Sequence, residues 1–283
     1  ELNSLMISKA REGKCVVRLK GGDPYVFGRG GEEAEALANA KIAFEVVPGI
    51  SSIMAATNYA GIPLTHRAHT SNFTVFTGHE GDGKAGSSLD FDQIARISGT
   101  KVILMGVTHL RELTLALISR GSSTDTPVAI VQWGTLGRQK SIVGTLGTIE
   151  QLAAKEHITP PALTVIGDVV KLRKKLNWFE NRPLFGQRIV VTRSRAQAGE
   201  FSHKLTELGA DVLEIPCIKR SVPDNLQSLA DALLELNSYD WLVFTSPNGV
   251  TACFDFFFKA FKDMRDIGGV RIAAVGPGTA AKL

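Results

Sequence analysis

Apolar and polar positions along this chain follow two rhythms, short β-like runs and longer amphipathic stretches, and the two take turns from end to end. In the first half the β-rich runs are CVVRLK, FEVV, NFTVFTG, KVILMGV, PVAIVQW, the hairpin-like QKSIVGTL and PALTVIGDVV. Helical spacing marks Leu2, Leu5, Met6 and Lys9, then the small-residue stretch from about Ser51 to Tyr59, LDFDQIARI, and HLRELTLALISRG, which Gly121 closes as a C-cap. From about Lys171 the pattern gives way to KLRKKLNWFENRPLFG, a basic stretch with little strand character that ends on Pro183 and Gly186. The alternation then restarts as strand QRIVVTR, helix AGEFSHKLTELGA, strand DVLEIPCI, helix LQSLADALLELN, strand WLVFTS, helix VTACFDFFFKAF and strand RIAAVG. This order predicts an α/β protein, its later part a parallel sheet wound with right-handed crossovers. We expect one domain over 1–172, a linker over 173–185 and a second domain over 186–283. Glu1 falls inside a helical pattern and GPGTAAKL stops as a new helix starts, so the chain reads as cropped at both ends.

A length of 283 residues fits about two domains, each large enough for its own core. With 44% hydrophobic and 21% charged residues the composition argues against disorder. No apolar run approaches the roughly 20 residues that span a bilayer, and ELNSLMISKA lacks a signal-peptide core, so we expect no membrane partner and a cytoplasmic location. Cys15, Cys217 and Cys253 are too far apart for a zinc knuckle or redox motif. The net charge of +4 is dispersed, which fits a polyanionic small molecule and gives no footprint for nucleic acid.

GGDPYVFGRGGEE, Gly21 to Glu33, packs five glycines and a proline into one loop, a composition that lets main chain approach a ligand or turn where a Cβ would clash. Its glycines arrive too late for a dinucleotide fingerprint, and no phosphate-loop motif occurs. Pro48 to Ser52 form a second turn into a helix, with hydroxyls at its start that can cap the helix or meet a carboxylate or ribose oxygen. GIPLTHR, Gly61 to Arg67, sets a hydroxyl, an imidazole and a guanidinium in succession, a candidate anion site. His66 and His69 stand as H-x-x-H, but Pro63 disfavours the helix that such a metal pair requires; His79 reads as a surface-loop residue, and no metal is assigned. In the second half IVVTRSR, FTSPNGV and AVGPGTA each end a strand with polar or glycine-rich residues, which points to a shared cleft at the strand ends.

The run EGKCVVRLKGGDPYVFGRGGEE, followed in order by VVPGISS, GIPLTHR, the strand ending in Met105 and Gly106, and PALTVIGDVV, resembles the uroporphyrinogen-III C-methyltransferases from Glu1 to about Val170. VTR, EIP and FTSPNGV, between about Arg182 and Leu283, resemble the uroporphyrinogen-III synthases. The first resemblance implies a two-lobed tetrapyrrole methyltransferase domain with S-adenosyl-L-methionine in the cleft, contacted by Gly21, Gly22, Asp23, Val26, Ser51, Ser52, Met105, Gly134 and Ala162. It implies two methylations of uroporphyrinogen III to precorrin-2, with Arg18, Lys20, Arg29, His66 and Arg67 as candidates for the substrate carboxylates. The family's amino-terminal strand and glycine-proline-aspartate loop, with the acid and base residues after it, are not found here, so no catalytic residue is assigned. The second resemblance implies the first part of a two-lobed parallel-sheet synthase domain that cyclises hydroxymethylbilane, with Thr192, Arg193, Ser246, Asn248, Gly276 and Thr279 toward the substrate. The synthase product is the methyltransferase substrate, and the methyltransferase resemblance implies a homodimer. The open alternatives are a non-catalytic tetrapyrrole-binding fragment, another S-adenosylmethionine-dependent tetrapyrrole methyltransferase, and a nicotinamide-dependent reductase resting on the wound sheet alone.

Overall fold

The structure, a computed structural model, describes residues 1–78, 90–193, 195–218, 221 and 225–283. The region of His79 and of Gly81, Gly83 and Gly86 lies outside the described residues, as does Ser194. Contacts divide the chain into two compact units, Glu1–Ile218 and Lys219–Leu283.

Three helices precede the sheet of the first unit: α1 (Leu2–Arg11), α2 (Gly30–Asn39) and α3 (Ser52–Tyr59). The sheet comprises β1 (Phe73–Thr77), β2 (Thr100–Leu104), β3 (Pro127–Gln132), β4 (Lys140–Thr145) and β5 (Ala162–Ile166), in the order β1-β2-β5-β3-β4. β1 and β2 run parallel, whereas β5 runs antiparallel to both of its neighbours and β4 antiparallel to β3. The C-terminal ends of β1, β2 and β3 therefore share one sheet end with the start of β5. The strands alternate between two cores, as a period of two requires. Val102, Leu104, Ala129, Val131, Leu163 and Val165 pack with Ile53, Ala56 and Ala60 on the α3 side. Ile103, Val128, Ile130 and Ile166 pack on the other face with α4 (Phe91–Arg96), α5 (Leu110–Ser119) and α6 (Ile149–Lys155). Gly121, at φ 95°, donates to the Ile118 carbonyl just beyond α5, the helix stop expected from sequence.

CVVRLK and FEVV do not form the strands expected of them. Among the described residues neither run joins a ladder, and Val17, Leu19 and Val47 are 82%, 84% and 73% exposed. β-branched residues favour a pleated surface, but a strand exists only where a neighbour accepts its main-chain hydrogen bonds. Three helices among the described residues were not anticipated: α2 opens on two glycines, α6 is only seven residues long, and a four-residue turn of helix over Arg173–Leu176 falls in the stretch read as a linker.

Beyond the sheet, α7 (Arg173–Leu176) leads into an aromatic cluster in which Tyr59 of α3 lies 5.0 Å from Trp178 and 4.7 Å from Phe179, ring centre to ring centre. Glu180 ties this segment down by accepting from Gln139, Ser141 and Arg173. β6 (Arg188–Val191) then pairs in parallel with β7 (Asp211–Glu214) across α8 (Arg195–Glu207), a βαβ unit within the first compact unit.

The second unit contains α9 (Gln227–Leu234), β8 (Trp241–Phe244), α10 (Pro247–Ala260), β9 (Arg271–Ala274) and α11 (Pro277–Ala280). β8 and β9 are parallel, and Leu233, Leu236, Phe244, Val250, Cys253 and Phe257 form its core. No helix among the described residues is long and apolar enough to cross a membrane.

Candidate functional site

Asp23 joins the two loops that sequence reading placed at the cofactor. Its carboxylate accepts from the main-chain N–H of Tyr25 at 2.9 Å and from that of Gly49, 26 residues away, at 3.0 Å. These N–H groups, Gly49 first, hold the Asp23 carboxyl below the usual carboxylate range. Gly49 approaches so closely that a Cβ there would run into the Gly22 carbonyl, and Gly22 itself turns at φ 75°. A Cβ at Gly28 or Gly30 would collide with the Pro24 carbonyl, so these glycines close the loop on itself. Gly21 and Gly31 are different: a Cβ at either would meet open space, and Gly21 lies beside the Gly22 turn while Gly31 is already in α2. Val26 is exposed nearby. Ser51 caps α3 by accepting from the Ile53 N–H, and Ser52 is exposed at the first helical position.

The other predicted cofactor positions meet at the sheet end described above. Met105 follows β2 with a left-handed φ of 54° and a side chain left 49% exposed. Ala162 starts β5 opposite Gln132, and the Trp133 N–H donates to the Pro161 carbonyl, which brings Gly134 to the same end. Gly134 also rests on Ala56 of α3, so that a Cβ would overlap the Ala56 methyl. Thus α3 links the two groups of positions: its first residues abut the Gly22 loop and its middle packs against Gly134.

The cationic candidates divide. Lys20, only 10% exposed at its side chain, binds Glu33 at 2.7 Å, and Arg18 binds the same carboxylate at 3.2 Å. The Glu33 carboxyl is lowered by these partners, Lys20 foremost. Arg29 meets Glu32 at 3.4 Å while remaining 84% exposed, and Arg67 is exposed with no charged partner among the described residues. His66 Nδ1 accepts from the Ala68 N–H, and the His66 and His69 rings lie 5.0 Å apart.

Of the synthase candidates, Thr192 and Arg193 follow β6 at the surface of the first unit. Within the second unit, Ser246 caps α10 by accepting from the Gly249 N–H, and Asn248 stands two residues later. Gly276 and Thr279 lie at the same end of the β8–β9 pair, where the Val275 N–H donates to the Phe244 carbonyl; Gly276 is exposed and Thr279 buried. Sequence reading missed Gln139, whose buried amide connects the Gly134 loop to its surroundings; an isolated Gln before a strand carries no motif to reveal it.

The tetrapyrrole (corrin/porphyrin) methylase model matches residues 1–150, and the uroporphyrinogen-III synthase HemD model matches 199–283. A porphyrin biosynthesis protein HemD of Ruminiclostridium josui is 43% identical over 100% of this chain and 56% of its own length. A uroporphyrinogen-III C-methyltransferase of Bacillus subtilis is 41% identical over 94% of this chain and 53% of its own. The chain thus spans about half the length of these curated relatives. The solved uroporphyrin-III C-methyltransferase of Thermus thermophilus, complexed with S-adenyl homocysteine, is 34% identical with a TM-score of 0.52, over 60% of this chain and 74% of that one. The chain belongs to the tetrapyrrole (corrin/porphyrin) methylases, and its residues 199–283 match the uroporphyrinogen-III synthase HemD model.

Proposed function

We propose that the methylase half transfers methyl groups from S-adenosylmethionine to ring carbons of uroporphyrinogen III, yielding precorrin-2. In the same reading, the second half belongs to a synthase that closes hydroxymethylbilane into that substrate. The observation that carries the proposal is the gathering of Met105, Gly134 and Ala162 at one sheet end, with a glycine loop whose Gly21 offers open main chain. Those residues suit the cofactor chemically. Met105 and Ala162 supply apolar surface for a purine, and the small residues keep the approach clear. S-adenosylmethionine would supply the sulfonium methyl group.

The chain's own contribution is alignment. Methyl transfer to an electron-rich carbon gains most from holding donor and acceptor in line, and preorganised loops do this. Asp23 and the Gly22–Gly49 contact fix one wall, and the turn after β3 fixes another. Arg67 and Arg29 are the cations best exposed to meet substrate carboxylates, whereas Arg18 and Lys20 already share Glu33. Each charge-assisted hydrogen bond would contribute about 1.5–3 kcal/mol. The proposal includes the division 1–172, 173–185 and 186–283, the synthase contacts Thr192, Arg193, Ser246, Asn248, Gly276 and Thr279, a cytoplasmic location, and a homodimer formed through the methylase half. Family resemblance supports the dimer, and light scattering on the eluting protein tests it.

Calorimetry with S-adenosylhomocysteine and mass spectrometry of products from S-adenosylmethionine and uroporphyrinogen III test the reading. Saturable heat and a dimethylated tetrapyrrole are expected. Binding of porphyrin without nucleotide heat would favour the non-catalytic alternative.

A further inference from the structure

The turn joining β3 to β4, residues 133–139, touches both family segments. At its start Trp133 and Thr135 hold left-handed backbone at φ 51° and 75°, a conformation costly for residues with side chains. The turn is held by Gln139, 4% exposed, whose Oε1 accepts from the Thr135 N–H at 2.9 Å. The Gln139 Nε2 donates to the Tyr59 carbonyl at 3.4 Å and to Glu180 at 2.9 Å. Glu180 in turn receives Ser141 and Arg173, and Arg173 also donates to the Ala60 carbonyl at the end of α3.

The tip of the same turn, Gly137, is buried against the other family segment. A Cβ at Gly137 would overlap the main chain at Ala210–Asp211, where β7 begins, and Ala210 is 2% exposed. The Gly137 carbonyl accepts from the Gly186 N–H at 3.0 Å, just before β6. Residue 137 lies within the methylase match and residue 210 within the synthase match. A flexible tether would require neither a glycine at this contact nor a half-buried carboxylate anchoring the segment between the halves.

We propose that this turn couples the two halves: seating of the β6–β7 unit on Gly137 holds the strained Trp133–Thr135 backbone, and thereby positions Gly134 at the cofactor end of the sheet. Gly137 and Gln139 are positioning residues, not catalytic ones. The inference rests on the reading of Gly134 as part of the S-adenosylmethionine site. Coupling is reciprocal, so nucleotide binding must tighten the seat by the factor by which the seat tightens nucleotide binding.

The test compares the full protein with Gly137→Ala, Ala210→Leu and Gln139→Leu. Readouts are calorimetry with S-adenosylhomocysteine, hydrogen exchange at residues 184–188 and 208–211, and kcat against KM for S-adenosylmethionine. Ala210→Leu perturbs the seat from the synthase side, outside the methylase core, and so serves if Gly137→Ala fails to fold. We expect about a tenfold loss of nucleotide affinity, a matching rise in KM with kcat within about twofold, and nucleotide-induced exchange protection at 184–188 in wild type that the variants lose. Unchanged affinity in a folded variant whose exchange shows the seat released would overturn the coupling. Gly134→Val separates this outcome from failure of the site reading: if wild type binds the nucleotide and Gly134→Val binds it equally well, Gly134 does not line the site and the inference falls with that assignment.

Discussion

Between Lys20 and Val26 a single carboxylate does the work of a loop anchor. Asp23 receives two main-chain N–H groups, one of them from the PGISS turn, and they lower its pKa. A carboxyl whose folded pKa is depressed contributes stability that is present above the ordinary carboxylate range and disappears as the pH falls through the folded value. We therefore expect the melting temperature of wild type to exceed that of Asp23→Asn at neutral pH and the gap to close in acid. A gap independent of pH would mean that the charge is not what joins the loops. The glycines give a sharper pair. Gly49→Ala forces a methyl group into the Gly22 carbonyl and should cost about 1–3 kcal/mol in urea unfolding. Gly21→Ala meets open space, so its stability should stay within about 0.5 kcal/mol of wild type while nucleotide affinity falls. The sequence showed that this loop was rich in glycine, and Asp23 was recognised by resemblance. It could not show that Gly28 and Gly30 serve Pro24 and not a ligand, because only packing in three dimensions separates those roles.

Elements were legible where a strand's own alternation coincided with a partner. β1 to β5 lie where apolar runs predicted them, and the run read as hairpin-like supplies β4, one strand that pairs antiparallel with β3. The same signal misled at CVVRLK and FEVV, since a sequence run cannot say whether a neighbour is there to complete its ladder. The left-handed residue after β2 also escaped sequence reading, as Met is an unusual choice for φ above zero. This makes Met105→Gly informative. Relief of left-handed strain is worth about 1–2 kcal/mol, and the added freedom of the unfolded chain costs about 0.4–1 kcal/mol, so stability should hold or rise slightly. Loss of the exposed thioether side chain should nevertheless weaken S-adenosylhomocysteine binding several-fold. Parallel losses of stability and affinity would indicate a packing role for Met105 instead.

The arrangement of the whole chain was visible as an order of motifs, GGDPYVFGRGGEE and GIPLTHR ahead of VTR, EIP and FTSPNGV, and the methylase and synthase models match in the same order. Their physical joining was not visible. KLRKKLNWFENRPLFG reads as basic and irregular, yet it is pinned by Glu180 and by aromatic contacts with Tyr59. Nothing in the sequence announces that Gln139 meets Glu180, 41 residues on, or that Gly137 meets Ala210. The account as a whole depends on methyl transfer at the β2–β3–β5 sheet end, and the most direct measurement uses S-adenosylmethionine labelled in its methyl group, supplied with uroporphyrinogen III to wild-type protein and to Gly134→Val, the latter verified as folded by circular dichroism and thermal melting because its side chain also meets Ala56. Label should enter the tetrapyrrole with wild type and fall at least about tenfold with the variant; no transfer by wild type, or equal transfer by both, would contradict it.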